Sequence, residues 1–103
     1  MINIVLVCAG GVSTSMMVVR MKNAAKTHGY DVSIIATGAD EFEDEQMEAD
    51  ILLVAPQIAY EFARLKEDHQ NDVKVIKMID RDDYGKMNGE KVLIEAIDDF
   101  RKG

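Results

Sequence analysis

The chain has 103 residues, 48% of them hydrophobic, enough for one core and too few for two ordinary domains, so residues 1–103 are read as a single unit. Twelve Lys and Arg against 19 Asp and Glu give a net charge of -7, which repels nucleic acid phosphates and anionic membrane surfaces. The lone cysteine cannot close an internal disulfide, there is no basic leader segment, and no uncharged apolar run reaches the roughly 18 residues of a membrane span, so a cytoplasmic protein without direct membrane insertion is expected.

The first predicted element is a strand over Ile2 to Val7, whose near-continuous β-branched and apolar character suits burial on both faces of a parallel sheet. After Gly10-Gly11, Met17, Val18, Met21, Ala24 and Ala25 recur at helical spacing, and Gly29 provides a stop. A second strand is expected over Val32 to Thr37, a third over Ile51 to Ala55, and a fourth within Val73 to Ile79 whose lower apolar content suits an edge. Between the second and third lies an acidic segment carrying Asp40, Glu41, Glu43, Asp44, Glu45, Glu48 and Asp50, with Phe42 and Met47 as apolar anchors, read as a solvated loop or short surface helix in preference to a cation site. Ile58, Phe62 and Leu65 mark a helix after Pro56, and Val92, Leu93, Ala96, Ile97 and Phe100 mark the last helix. Alternation of this kind predicts an α/β fold of three layers, a four-stranded parallel sheet with helices on both faces and right-handed crossovers.

The chemistry is expected where the first strand turns into the first helix, at Cys8-Ala9-Gly10-Gly11-Val12-Ser13-Thr14-Ser15. Ligands of open α/β sheets bind beyond the carboxyl ends of the strands. Two glycines let successive N–H groups face inward, and the helix terminus adds further donors and about half a positive charge, so the turn suits an anion such as phosphate. Ser13, Thr14 and Ser15 serve either as caps or as donors to phosphoryl oxygens. A thiol at that terminus is favoured as the nucleophilic thiolate, whereas a cysteine at a strand end can equally be a small buried hydrophobe. A nucleotide P-loop needs a lysine before the hydroxyl residue, and no lysine occurs before Lys22. A Cys-x5-Arg phosphatase cradle would put arginine at position 14, where this chain has Thr14. Without that guanidinium, hydrolysis loses transition-state stabilisation, while capture and onward transfer of a phosphoryl group remain feasible.

Three stretches, IVLVCAGGVSTSMMV at residues 4 to 18, ADILLVAPQIAYE at 49 to 61 and DYGKMNGEKVL at 83 to 93, resemble the enzyme IIB component of the bacterial sugar phosphotransferase system, of the lactose, cellobiose and chitobiose class. The resemblance spans essentially the whole chain. It implies strand order 2-1-3-4, the topology of the low-molecular-weight tyrosine phosphatases. It further implies that Cys8 accepts phosphate from a phosphohistidine of the IIA component and donates it to a sugar bound by the membrane IIC permease, a β-linked disaccharide such as cellobiose, chitobiose or lactose. Residues Ala9, Gly10, Gly11, Val12, Ser13, Thr14 and Ser15 map onto the family's phosphate loop, with Val12 where other members often have methionine. Pro56 and Gln57, and Tyr84 and Gly85, map onto loops at the same rim, with a helix start and a packed turn as their plain structural readings. Met16 and Val19 point away from the apolar stripe of the first helix and suit a docking patch. No cofactor or metal is implied, and His28 and His69 read as surface residues.

Two other functions use the same residues. A small cysteine phosphatase or arsenate reductase would draw its general acid from Asp82 or Asp83, which otherwise begin a solvated turn. A noncatalytic module for phosphate or a flavin phosphate would use the loop without covalent chemistry.

Overall fold

The computed structural model describes residues 1–9 and 12–102, the side chains of residues 12 and 13 excepted. The elements run β1 (Ile2–Cys8), α1 (Val12–His28), β2 (Val32–Gly38), α2 (Ala39–Asp44), β3 (Ile51–Val54), a 3-10 turn (Pro56–Glu61), α3 (Phe62–His69), β4 (Val75–Met78), α4 (Arg81–Gly85) and α5 (Gly89–Lys102). All pairings are parallel and the strand order is β2-β1-β3-β4, so the most apolar strands, β1 and β3, lie inside and the less apolar β4 forms an edge, as the composition of each strand requires.

The side-chain period of two divides β1 between the two faces. Ile4, Leu6 and Cys8 join the larger core, which is closed by Met17 and Met21 of α1 and by Leu93 and Ile97 of α5. Val5 and Val7 join the smaller core with Phe42, Ile58 and Leu65 from the elements on the opposite face. The register Ile4↔Ile51 and Leu6↔Leu53 on one side, with Cys8↔Gly38 on the other, brings the carboxyl ends of β1, β2 and β3 to a common rim.

α1 ends where expected. Gly29 adopts φ +71, the left-handed conformation that costs glycine little, and Tyr30 N–H donates to the Ala25 carbonyl at 2.9 Å. The acidic segment contains the short helix α2, with Phe42 buried beneath it.

Two local expectations are corrected. The segment after Pro56 is not one helix: Ile58 leaves the helical region (φ -116, ψ 35) as its side chain enters the smaller core, and regular α-helix begins only at Phe62. β4, Val75–Met78, lies within the range expected for it, and Val73 N–H closes the end of α3 on the His69 carbonyl at 2.9 Å. Asp82 and Asp83 stand in the first turn of the short helix α4 and not in a solvated turn, and only Asp82 is exposed. Asp80 caps α4 by accepting from the N–H groups of Asp82 and Asp83, and Asp83 is buried with its carboxylate 3.2 Å from Lys91 Nζ.

Candidate functional site

Cys8 is the last residue of β1, paired with Gly38 of β2. Its side chain is 7% exposed, and Sγ donates to the Thr37 carbonyl oxygen at 3.6 Å, which turns the sulfur towards β2. Cys8 is not sealed in the core, since it lines an open recess of about 230 Å³ together with Gly38, Asp40, Ile58, Tyr60 and Glu61. The recess exists because three chain segments, β1, the β2–α2 junction and the 3-10 turn, end or begin at the same rim.

α1 starts four residues beyond Cys8, and the N–H groups of its first turn have no acceptor within the helix. The partial positive charge of such groups favours an anion at that end of the helix. The expectations for Gly10 and Gly11, and for the side chains of Val12 and Ser13, lie outside the described residues. Ala9 and Ser15 are exposed. Thr14 is only 3% exposed, and its Oγ1 lies 2.8 Å from the hydroxyl of Tyr84, which is 5% exposed.

That contact places Tyr84 differently from the expected rim or partner contact. It is packed in the larger core and reaches the start of α1 through its hydroxyl, while its neighbour Gly85 is exposed. Gln57 is exposed and Pro56 half-buried at the start of the 3-10 turn, and Met16 and Val19 are exposed on α1, on the side away from buried Met17 and Met21. Of the two aspartates offered as a general acid, Asp83 is held by Lys91 and Asp82 is exposed. His28 and His69 pair with carboxylates, Glu90 at 3.0 Å and Glu43 at 2.9 Å, and His69 is partly buried against Phe42.

The ionisable residues lining the recess are acidic, Asp40 and Glu61, apart from Cys8 and Tyr60. Glu61 is gripped by Arg64, whose Nε and second guanidinium nitrogen each lie 3.2 Å from a carboxylate oxygen. The same Arg64 binds Glu43 at 3.0 Å and, with His69, holds the Glu43 carboxyl below its ordinary value despite its partial burial. Among the described residues, no Lys or Arg side chain lines this recess, and its acidic mouth opposes an anion.

The residues missed by reading the sequence are Tyr60, Asp40 and Glu61. Tyr60 is 80% exposed beside the sulfur. One signal was available, since Tyr60 falls off the Ile58-Phe62-Leu65 stripe inside the stretch ADILLVAPQIAYE. Recesses of about 300 Å³, beside β4, α4 and α5, and about 730 Å³, at the opposite end of the sheet, are larger but hold no cysteine.

Comparison with known proteins agrees with this geometry. Residues 3–95 match the family described as the lactose/cellobiose-specific IIB subunit of the PTS system. The oligo-beta-mannoside-specific EIIB component of Bacillus subtilis is 35% identical over 95 residues, covering 91% of both chains. The galactose-specific EIIB component of Lactococcus lactis is 38% identical over 101 residues, covering 90% of this chain and 91% of that one. The solution structure of the cellobiose-specific phosphotransferase IIB component of Borrelia burgdorferi superposes with a TM-score of 0.79 at 39% identity, over 98% of this chain and 93% of that one. The fold is thus shared with a solved structure along nearly its full length, and the chain belongs to the lactose/cellobiose-specific IIB family of the phosphotransferase system.

Proposed function

We propose that Cys8 is the covalent phosphoryl carrier of this IIB component. The observation that carries the reading is the position of Sγ, at the end of a central strand, in an open recess, just before the N-terminus of the longest helix. In the first half-reaction the Cys8 thiolate attacks the phosphorus of a phosphohistidine on the IIA component. The S–P bond forms, the P–N bond breaks, and the imidazole leaves with the electron pair and takes up a proton. In the second, a sugar hydroxyl oxygen held by the IIC permease attacks the same phosphorus. The S–P bond breaks, Cys8 leaves as thiolate, and the hydroxyl proton passes to a base on the acceptor side.

The transferring group is loose and metaphosphate-like, with charge spread over three oxygens, so positioned donors are the main requirement. The amides and hydroxyls of residues 9 to 15 supply them. Thr14 in place of the phosphatase arginine withholds the cationic clamp that water attack would need, which suits a carrier that must keep its phosphate until an acceptor arrives. Exposed Met16 and Val19, with Pro56, Gln57 and Gly85, form the surface presented to IIA and IIC.

Among the described residues no helix is long and apolar enough to cross a membrane, in keeping with a cytoplasmic component that meets the permease at its inner face. The relatives named for an oligo-β-mannoside, galactose and cellobiose point to a sugar of that kind, a β-linked disaccharide being the favoured cargo. Incubation with phosphorylated IIA followed by intact-mass analysis tests the proposal. One phosphoryl adduct is expected on the wild type and none on Cys8→Ser. An adduct of equal yield on the serine variant, or none on the wild type, overturns it.

A further inference from the structure

The Thr14–Tyr84 contact joins residues 70 positions apart, both buried, at the start of the helix that follows Cys8. Two hydroxyls carry two protons, and their shared bond uses one. Either oxygen can be the donor, but a phenol is the more acidic of the two and the better donor, and an alkyl hydroxyl is the better acceptor, which favours the direction from Tyr84 O–H to Thr14 Oγ1. Thr14 then keeps its own proton to donate elsewhere, and a hydroxyl that accepts one hydrogen bond donates the next more strongly.

Tyr84 is well held for such a part. Its N–H donates to the Asp80 carbonyl at 2.9 Å, and its carbonyl accepts from Met87 N–H at 3.1 Å. The Asp80 cap and the Asp83–Lys91 pair secure the short helix on which it sits. Thr14 stands six residues after the cysteine, the position at which a Cys-x5-Arg cradle places its guanidinium on the phosphate oxygens.

Resting on the reading of Cys8 as phosphoryl carrier, we infer that Tyr84 is a positioning residue that polarises Thr14, so that the Thr14 hydroxyl donates to a phosphoryl oxygen on Cys8. The pair takes the place of the arginine with a neutral donor, oriented by a residue that does not itself touch the phosphate. A neutral donor stabilises the resting phosphocysteine without the added charge stabilisation that would promote attack by water.

The test is a double-mutant cycle on the full chain, phosphorylated by IIA and read by intact mass and by the 31P resonance of the phosphocysteine. Tyr84→Phe should still take phosphate on sulfur. Its ratio of phosphorylated to free protein should fall about five-fold, the size of one lost hydrogen bond, and its 31P resonance should move. In a Thr14→Ala background the same substitution should change neither reading further, whereas Thr14→Ser should restore both sensitivities. A 31P resonance in Tyr84→Phe identical to wild type, or an undiminished effect in the Thr14→Ala background, overturns the inference. If Tyr84→Phe does not fold, the hydroxyl proton of Tyr84 in the wild type decides, since it must shift on phosphorylation of Cys8, and an unchanged resonance overturns the inference. No adduct on any variant or on the wild type would instead sink the reading of Cys8, so the two failures are distinct.

Discussion

The two faces of the sheet carry polar clusters of opposite design. On the α1/α5 face, two neutral hydroxyls share one bond of 2.8 Å within a core that also buries Met17, Met21, Leu93 and Ile97 completely. On the other face, Arg64 gathers Glu43, Glu61 and Asp68 in bonds of 3.0 to 3.2 Å, with His69 added at 2.9 Å, all at or near the surface over a smaller core. The first has few bonds shielded from water, the second many bonds screened by it. Shielding, not number, decides which cluster can fix the direction of a shared proton.

The largest test of this contrast lies in the apolar layers beneath the clusters. Leu93 and Leu65 are equally inaccessible to solvent, one in each core. Replacing Leu93 by Ala should cost about 2–5 kcal/mol in urea unfolding. Leu65→Ala should cost less within that range, because α3 is eight residues long and can settle into the space while α1 and α5 brace each other. The reverse order would break the contrast.

Next in size is Gly89, where α5 begins against α1. A Cβ there would lie 2.6 Å from Arg20 Cβ and 2.8 Å from backbone atoms of Arg20 and Met21, so one of the helices must move. Gly89→Ala should destabilise by about 1–3 kcal/mol, whereas Gly85→Ala, with nothing within 4 Å of the added carbon, should be close to neutral. Equal melting temperatures for the two variants would show that the α1/α5 face is less tightly fitted than its contacts imply.

The smallest effect belongs to the charged cluster. Arg64 foremost, and then His69, lower the folded-state value of the Glu43 carboxyl, so its stabilising contribution is present at neutral pH and is lost as pH falls through that lowered value. Glu43→Gln should cost less than about 1 kcal/mol at neutral pH, and the difference from wild type should shrink with added salt and vanish in acid. A difference that persisted at a pH where Glu43 is protonated would mean that the cluster acts through packing, not charge.

Much of this was present in the order of residues. Apolar runs and helical spacing are local patterns, set by which side chains must leave water, and they were enough for the strands, the main helices, the parallel three-layer arrangement and the place of Cys8 at the end of the first strand. The stretch CAGGVSTS likewise raises the expectation of an anion-binding turn, because its glycines and hydroxyl residues are read in one segment, and that expectation rests on the sequence alone. What only the folded chain decided are relations between distant segments. These include Tyr84 buried against Thr14, Asp83 drawn inside to Lys91, the break at Ile58, and Tyr60, Asp40 and Glu61 gathered around the sulfur. Each depends on which atoms meet when separate elements pack, and burial of that kind leaves no period in the sequence.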